Sequence, residues 1–190
     1  MGAGKSAVGR RVAERAGAKF VDTDKEIERE QGMAIAQIFA DRGEEQFRAI
    51  ETQILSGLLE HEKADRSPRR AMRLVLSTGG GLPLRPENRS LLKALGYILW
   101  LRARPETIVD RIGHRLALRP IIANHGANLM ERIIELQQER YPTYGQVMDD
   151  VIDTDNCVNP DQAASLVYEQ WRRQIATPRH HDNSYHNTDQ

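Results

Sequence analysis

The chain has 190 residues, with 39% in the hydrophobic class and 28% charged, which suits one globular domain and excludes a wholly disordered chain. Twenty-seven basic residues balance 27 acidic ones, so no net charge draws the protein onto nucleic acid or an acidic membrane. A single cysteine, Cys157, excludes an internal disulfide and a cysteine-rich metal site and suits a reducing compartment. The longest apolar run, 94–101, is far short of the ~18 residues of a membrane span, and no secretory signal opens the chain. A soluble, cytoplasmic protein is the expectation.

The elements follow in chain order. Residues 1–5 are glycine-rich, and 6–15 predict a helix with Val8 and Val12 on one face. Residues 19–21 form a short strand candidate ending in Asp22-Thr23-Asp24, where Asp24 has the character of an N-cap. A helical pattern starts near Ile35 and stops at Gly43. Another places Phe47, Ile50, Ile54 and Leu58 on one buried stripe, with Arg48 at its edge.

Residues 63–73 are polar and basic and predict a loop. Leu74-Val75-Leu76 predict a buried parallel strand, followed by Ser77-Thr78-Gly79-Gly80-Gly81. A helix over 86–94, a strand over 97–101 and a proline-started helix over 105–112 come next. Residues 113–126 lack periodicity and predict a mobile loop. A helix over 129–139, a strand at 151–152 and a helix over 161–175 complete the domain, and 177–190 have the composition of a disordered tail. Alternating strands and helices predict an α/β fold with a parallel sheet and ligands at the strands' carboxyl ends.

Gly2-Ala3-Gly4-Lys5-Ser6 match all but the front of G-x-x-x-x-G-K-[ST]. Glycines let consecutive N–H groups turn toward phosphate oxygens, and the following helix adds its positive end. Lys5 suits charge on the β and γ phosphates, and the Ser6 hydroxyl suits Mg²⁺. A glycine-rich start to an ordinary helix gives the same letters. The first glycine of the pattern and the strand that feeds such a loop would lie ahead of Met1, so an upstream start is expected. A genuine short form is the rival.

With that loop, the segments FVDTD followed by IE, IFADRGEEQFRAIE, LSTGGG, LRPII and QERYPTY resemble the shikimate kinase family, in its order and at its spacing, over residues 1–175. The resemblance implies a three-layer α/β P-loop kinase fold, a short parallel sheet with helices on both faces and a mobile lid over 113–126, in a domain of residues 1–176. It implies ATP-dependent phosphorylation of the 3-hydroxyl of shikimate, giving 3-phosphoshikimate and ADP on the route to aromatic amino acids.

Residue by residue, Lys5, Asp24 and Arg119 match catalytic positions. Gly2, Ala3, Gly4, Lys5, Ser6, Ala7 and Arg119 match those that bind ATP. Asp24, Arg48, Gly79, Gly80, Gly81 and Arg140 match those that bind shikimate, and Ser6 and Asp22 those that hold Mg²⁺, Asp22 through water. Arginine suits a carboxylate because its planar fork donates two parallel bonds, and an aspartate suits a hydroxyl that must be oriented. Each has a plainer role open to it: surface arginines at Arg48, Arg119 and Arg140, a helix cap at Asp24, a tight turn at Gly79–Gly81. Two features depart from the family: Leu118 stands before Arg119-Pro120, and the spacing from Arg111, paired with Pro160 at adenine, is shifted.

The implied partners are ATP and shikimate, with no nucleic acid, no membrane and a monomeric state. A related small-molecule kinase acting on gluconate, a non-catalytic domain of the same family and a nucleic-acid binder using Lys63 to Arg73 are the alternatives. The histidines His180, His181 and His186 and the thiol of Cys157 carry no functional expectation.

Overall fold

The computed structural model describes residues 2–65, 72–112 and 129–176. The lid over 113–126, with Arg119, and the tail over 177–190 lie outside the described residues. Helix α1 (Lys5–Ala16) leads to β1 (Lys19–Asp22), α2 (Thr23–Gln31) and α3 (Ile35–Ala64). Strand β2 (Leu74–Ser77) is followed by a 3-10 turn (Leu82–Leu84) and α4 (Pro86–Leu95). Then come β3 (Leu99–Arg102), α5 (Pro105–Ile112), α6 (Leu129–Val147), β4 (Asp150–Asp153) and α7 (Pro160–Ala176). No helix among the described residues is long and apolar enough to cross a membrane.

The strands form two parallel pairs. β1 pairs with β2, Lys19 opposite Leu74 and Asp22 opposite Ser77, and β3 pairs with β4, Leu99 opposite Asp150. Apolar clusters cover both faces. Val75, Leu99 and Leu101 pack with Val8 and Val12 of α1 and Val167 of α7, while Leu76 and Ile98 pack with Leu55 of α3 and Leu92 of α4.

Several expectations are corrected here. Asp24 is not the cap of α2: Asp22 is, its Oδ1 accepting from the Asp24 and Lys25 amides at 3.1 and 3.4 Å. The strand ends one residue later than expected, so the first carboxylate falls at the extended position that capping requires. The break expected at Gly43 is present: its φ 78° and ψ 173° are non-helical and divide α3 into two helical stretches that meet at a kink. Helix α3 continues to Ala64, into the stretch expected to be loop. Helix α6 runs through Pro142 to Val147, eight residues beyond the expected end. A buried face including Leu136, Arg140 and Val147 holds it together across the amide that proline lacks. Leu74, Val75 and Leu76 are half-buried rather than buried, because one edge of β2 faces a cavity.

Candidate functional site

The start of α1 lies at the carboxyl end of β2, with Ser6 Oγ 3.4 Å from Ser77 Oγ. Gly2 and Gly4 both hold left-handed φ, 70° and 84°. At Gly2 a Cβ would lie 2.7 Å from an Ile108 methyl. A side chain there is excluded twice, by backbone and by neighbour. The tight path turns the backbone just before the α1 N-terminus, where helical amides lack internal partners and suit an anion.

Asp22 sits on the carboxyl end of β1 and Asp24 in the first turn of α2. Thr23, fully buried between them, accepts a hydrogen bond from the Gly79 amide at 3.0 Å. That bond ties the glycine loop after β2 to the aspartates after β1. At Gly79 a Cβ would come within 2.7 Å of Asp24 Oδ1 and 3.1 Å of Glu51 Oε1, and at Gly81 it would overlap the Arg48 guanidinium. Two of the three glycines thus make room for the charged groups around them.

Arg48 is buried on α3, at the edge of its apolar stripe. Its Nη1 donates to Glu51 Oε2 at 2.7 Å and its Nη2 to Glu44 Oε1 at 2.8 Å. Burial opposes its charge, but the bonds and charge of Glu51 and Glu44 prevail and hold it above the ordinary arginine range. Glu51 is 1% exposed. Burial raises its pKa above the ordinary glutamate value, against the hydrogen bond and charge of Arg48, and Asp24 adds to the rise.

Arg140 reaches the same place from α6, 8% exposed, with its Nε buried and without a hydrogen-bond partner among the described residues. It stands within electrostatic range of Glu51 and Tyr144. Tyr144 donates its hydroxyl to the Gly80 carbonyl. Burial raises the Tyr144 pKa, with Arg140 opposing. One cavity is lined by Lys5, Gly79, Gly80 and Arg140. The geometry therefore brings together the Gly2–Ser6 loop, Asp24, the glycine loop and two buried guanidinium groups. Arg111, in the last turn of α5, donates from Nη1 to Thr154 Oγ1 at 2.9 Å, and Pro160 opens α7.

Four residues of this arrangement escaped the sequence reading: Thr23, Glu44, Glu51 and Tyr144. Glu44 and Glu51 lie four before and three after Arg48, the helical spacing of ion pairs, so that signal was available. Nothing local marks Thr23 or Tyr144, whose partners lie 56 and 64 residues away.

The shikimate kinase family model matches residues 1–172. The chain belongs to the shikimate kinase family. A shikimate kinase of Symbiobacterium thermophilum is 39% identical over 168 residues, covering 88% of this chain and 90% of its own. One from Pelotomaculum thermopropionicum is 40% identical over 167 residues, 88% of each chain. Among solved structures, shikimate kinase from Acinetobacter baumannii in complex with shikimate superposes with a TM-score of 0.80 at 33% identity, over 93% of this chain and 91% of its own. The Bacteroides thetaiotaomicron enzyme gives 0.76 at 26%, over 93% and 94%. The α/β architecture of short parallel strands and covering helices is that of these kinases.

Proposed function

We propose that the chain transfers the γ-phosphoryl group of ATP to the 3-hydroxyl of shikimate. The observation that carries the reading is the approach of two buried guanidinium groups, Arg48 and Arg140, to Glu51 beside the glycine loop, with Arg140 also lining the cavity that reaches Lys5, Gly79 and Gly80. A small acid with one carboxylate and several hydroxyls matches these groups. The arginines take the carboxylate, whose negative charge stabilises two buried cations already crowded together. Asp24 accepts from the ring hydroxyls, and Gly79, Gly80 and Gly81 let the ring approach the backbone. The 3-hydroxyl oxygen bonds to the γ-phosphorus, the bond to the β–γ bridging oxygen breaks, ADP leaves, and the hydroxyl proton moves toward the Asp24 carboxylate.

The nucleotide phosphates lie on the Gly2-Ala3-Gly4 backbone and the amides of Lys5, Ser6 and Ala7, with the Lys5 ammonium on the β and γ groups. Positioning and charge neutralisation supply most of the rate in such transfers. Arg119, within a lid over 113–126, closes on the phosphates and excludes water. The catalytic domain spans 1–176, and Arg111 with Pro160 flanks adenine.

Mg²⁺ fits the donor chemistry: the Ser6 hydroxyl and the Asp22 carboxylate are hard oxygen donors, and Mg²⁺ bound to nucleotide takes one or two protein oxygens and keeps several waters. When bound it neutralises phosphate charge. Ser6 would ligate it directly, and Asp22, one oxygen of which caps α2, would act through water.

The test is product identification. Incubation with ATP, Mg²⁺ and shikimate should give ADP and a phosphorus NMR signal coupled to the proton on carbon 3 of the ring. ATP binding without that product would favour a non-catalytic member of the family.

A further inference from the structure

The hydroxyl of Tyr144 stands at the joint between two parts of the candidate site. It donates to the Gly80 carbonyl, 64 residues away on the loop after β2. Arg140, one turn earlier on α6, acts on the same oxygen by hydrogen bond and by charge. A guanidinium can only donate, so the phenol oxygen accepts from Arg140 and its proton is committed to the carbonyl. Burial pushes the Tyr144 pKa up, which keeps that proton in place at neutral pH. The ring is held independently of the hydroxyl, edge-on to Trp100 of β3 with centroids 5.6 Å apart and tilted against Tyr141 at 6.2 Å.

Fixing the Gly80 carbonyl also fixes its neighbour. The described chain has no cis peptide bond, so the Gly81 amide points opposite to the Gly80 carbonyl, away from Tyr144. Gly81 is buried against the Arg48 guanidinium, and its amide has no acceptor among the described residues. Buried amides are ordinarily paired; this one is a donor left for a ligand, beside a cation. Thr23 holds the start of the same loop through the Gly79 amide at 3.0 Å, so the loop is gripped from α2 and from α6. Without the Tyr144 hydroxyl, the Gly80 carbonyl would draw the nearby Arg140 guanidinium, whose buried Nε already lacks a partner among the described residues.

We propose that Tyr144 is a positioning residue for the acid substrate: its hydroxyl ties Arg140 to the Gly80 carbonyl, which aims the Gly81 amide at the substrate and keeps that carbonyl from occupying a guanidinium the substrate carboxylate needs. The inference rests on the reading of Arg48 and Arg140 as the carboxylate site. Tyr144 acts through Arg140 and the loop rather than on the reacting atoms. The arrangement it holds is the same before and during phosphoryl transfer, so its loss shows in binding rather than in turnover.

The test pairs Tyr144→Phe with Tyr141→Phe. Each removes one hydroxyl that α6 donates to a backbone carbonyl, but Tyr141 serves Ala103, at 3.3 Å, and that carbonyl keeps a second donor in Gln137 Nε2 at 2.9 Å. Tyr144→Phe should raise the KM for shikimate about five- to tenfold, the scale of one lost hydrogen bond, with kcat and the KM for ATP changed by less than about twofold. Tyr141→Phe should change all three by less than about twofold. Equal effects of the two variants, or a rise in both KM values, would assign Tyr144 to the anchoring of α6 and overturn the proposal; so would an unchanged KM for shikimate. If the unsubstituted chain does not use shikimate, the reading of the acceptor fails separately, and nitrogen-15 NMR decides the positioning claim. The Gly81 amide and Arg140 Nε signals should then move in Tyr144→Phe and stay in Tyr141→Phe. Signals that respond alike in the two variants overturn it.

Discussion

Arg48 and Glu51 form a buried ion pair, Nη1 to Oε2 at 2.7 Å, with side chains only 10% and 1% exposed. Burying two charges is costly unless their geometry is good and the remaining polar atoms find partners. Here the second Arg48 amino group reaches Glu44, and the Glu51 carboxylate stands near Asp24 and Arg140. On the proposed binding of the shikimate carboxylate by Arg48, a glutamate that fixes the guanidinium plane before substrate arrives would spare the substrate that ordering cost.

Glu51→Gln should therefore raise the KM for shikimate about tenfold, corresponding to the ~1.5 kcal/mol low end for a hydrogen bond to a charged group, and change the KM for ATP little. Steady-state kinetics in each substrate checks this. An equal rise in both KM values would assign Glu51 to the fold alone.

The raised pKa of Glu51 predicts a pH effect on stability. Its folded value lies above 4.5, so the folded chain holds that proton more tightly than the unfolded chain. The resulting stabilisation is complete below pH 4.5 and is lost as pH rises through the folded value. Relative to Glu51→Gln, the unsubstituted chain should lose stability across that window, as measured by denaturant unfolding at a series of pH values. A constant difference between the two proteins would contradict the assignment.

Gly81→Ala should weaken shikimate binding at least tenfold, because the added methyl overlaps the Arg48 guanidinium. Gly81 has φ −87°, which alanine adopts freely, so the thermal midpoint should move little. Calorimetric titration with shikimate and a melting curve separate the two effects. Unaltered binding would show that Arg48 has room to move aside.

Much of this was legible along the chain, for reasons that differ by residue. The loop at Gly2–Ser6 and the aspartates after β1 announce themselves because phosphate and hydroxyl chemistry need those residue types close together in sequence. Arg48 and Arg140 could be named from the motifs around them, but their burial could not, since it depends on α3, α4 and α6 meeting over the glycine loop. The Thr23–Gly79 bond was illegible for the same reason: nothing local to threonine specifies an amide 56 residues away. Asp22 and Asp24 exchanged places as cap because a one-residue shift of a strand end lies below the resolution of periodicity. The apolar run Leu74-Val75-Leu76 signalled a strand covered on both faces correctly; its exposed edge is a property of strand order, which periodicity does not encode.

Lys5→Ala should lower kcat/KM by two orders of magnitude or more, the scale of losing a group that stabilises transferring charge, while shikimate binding without nucleotide persists. Activity and calorimetry on the same preparation check it. Loss of shikimate binding as well would mean that the phosphate loop and the acid pocket do not act as separate subsites.

The central claim is that this cavity selects shikimate as the phosphoryl acceptor. Coupled ADP release, measured with shikimate, with gluconate and with no acceptor, tests it most directly. Shikimate alone should stimulate turnover, and Arg48→Ala should abolish the stimulation while leaving nucleotide binding intact. Stimulation by gluconate to the same degree, or ADP release that ignores shikimate while ATP still binds, would contradict the account.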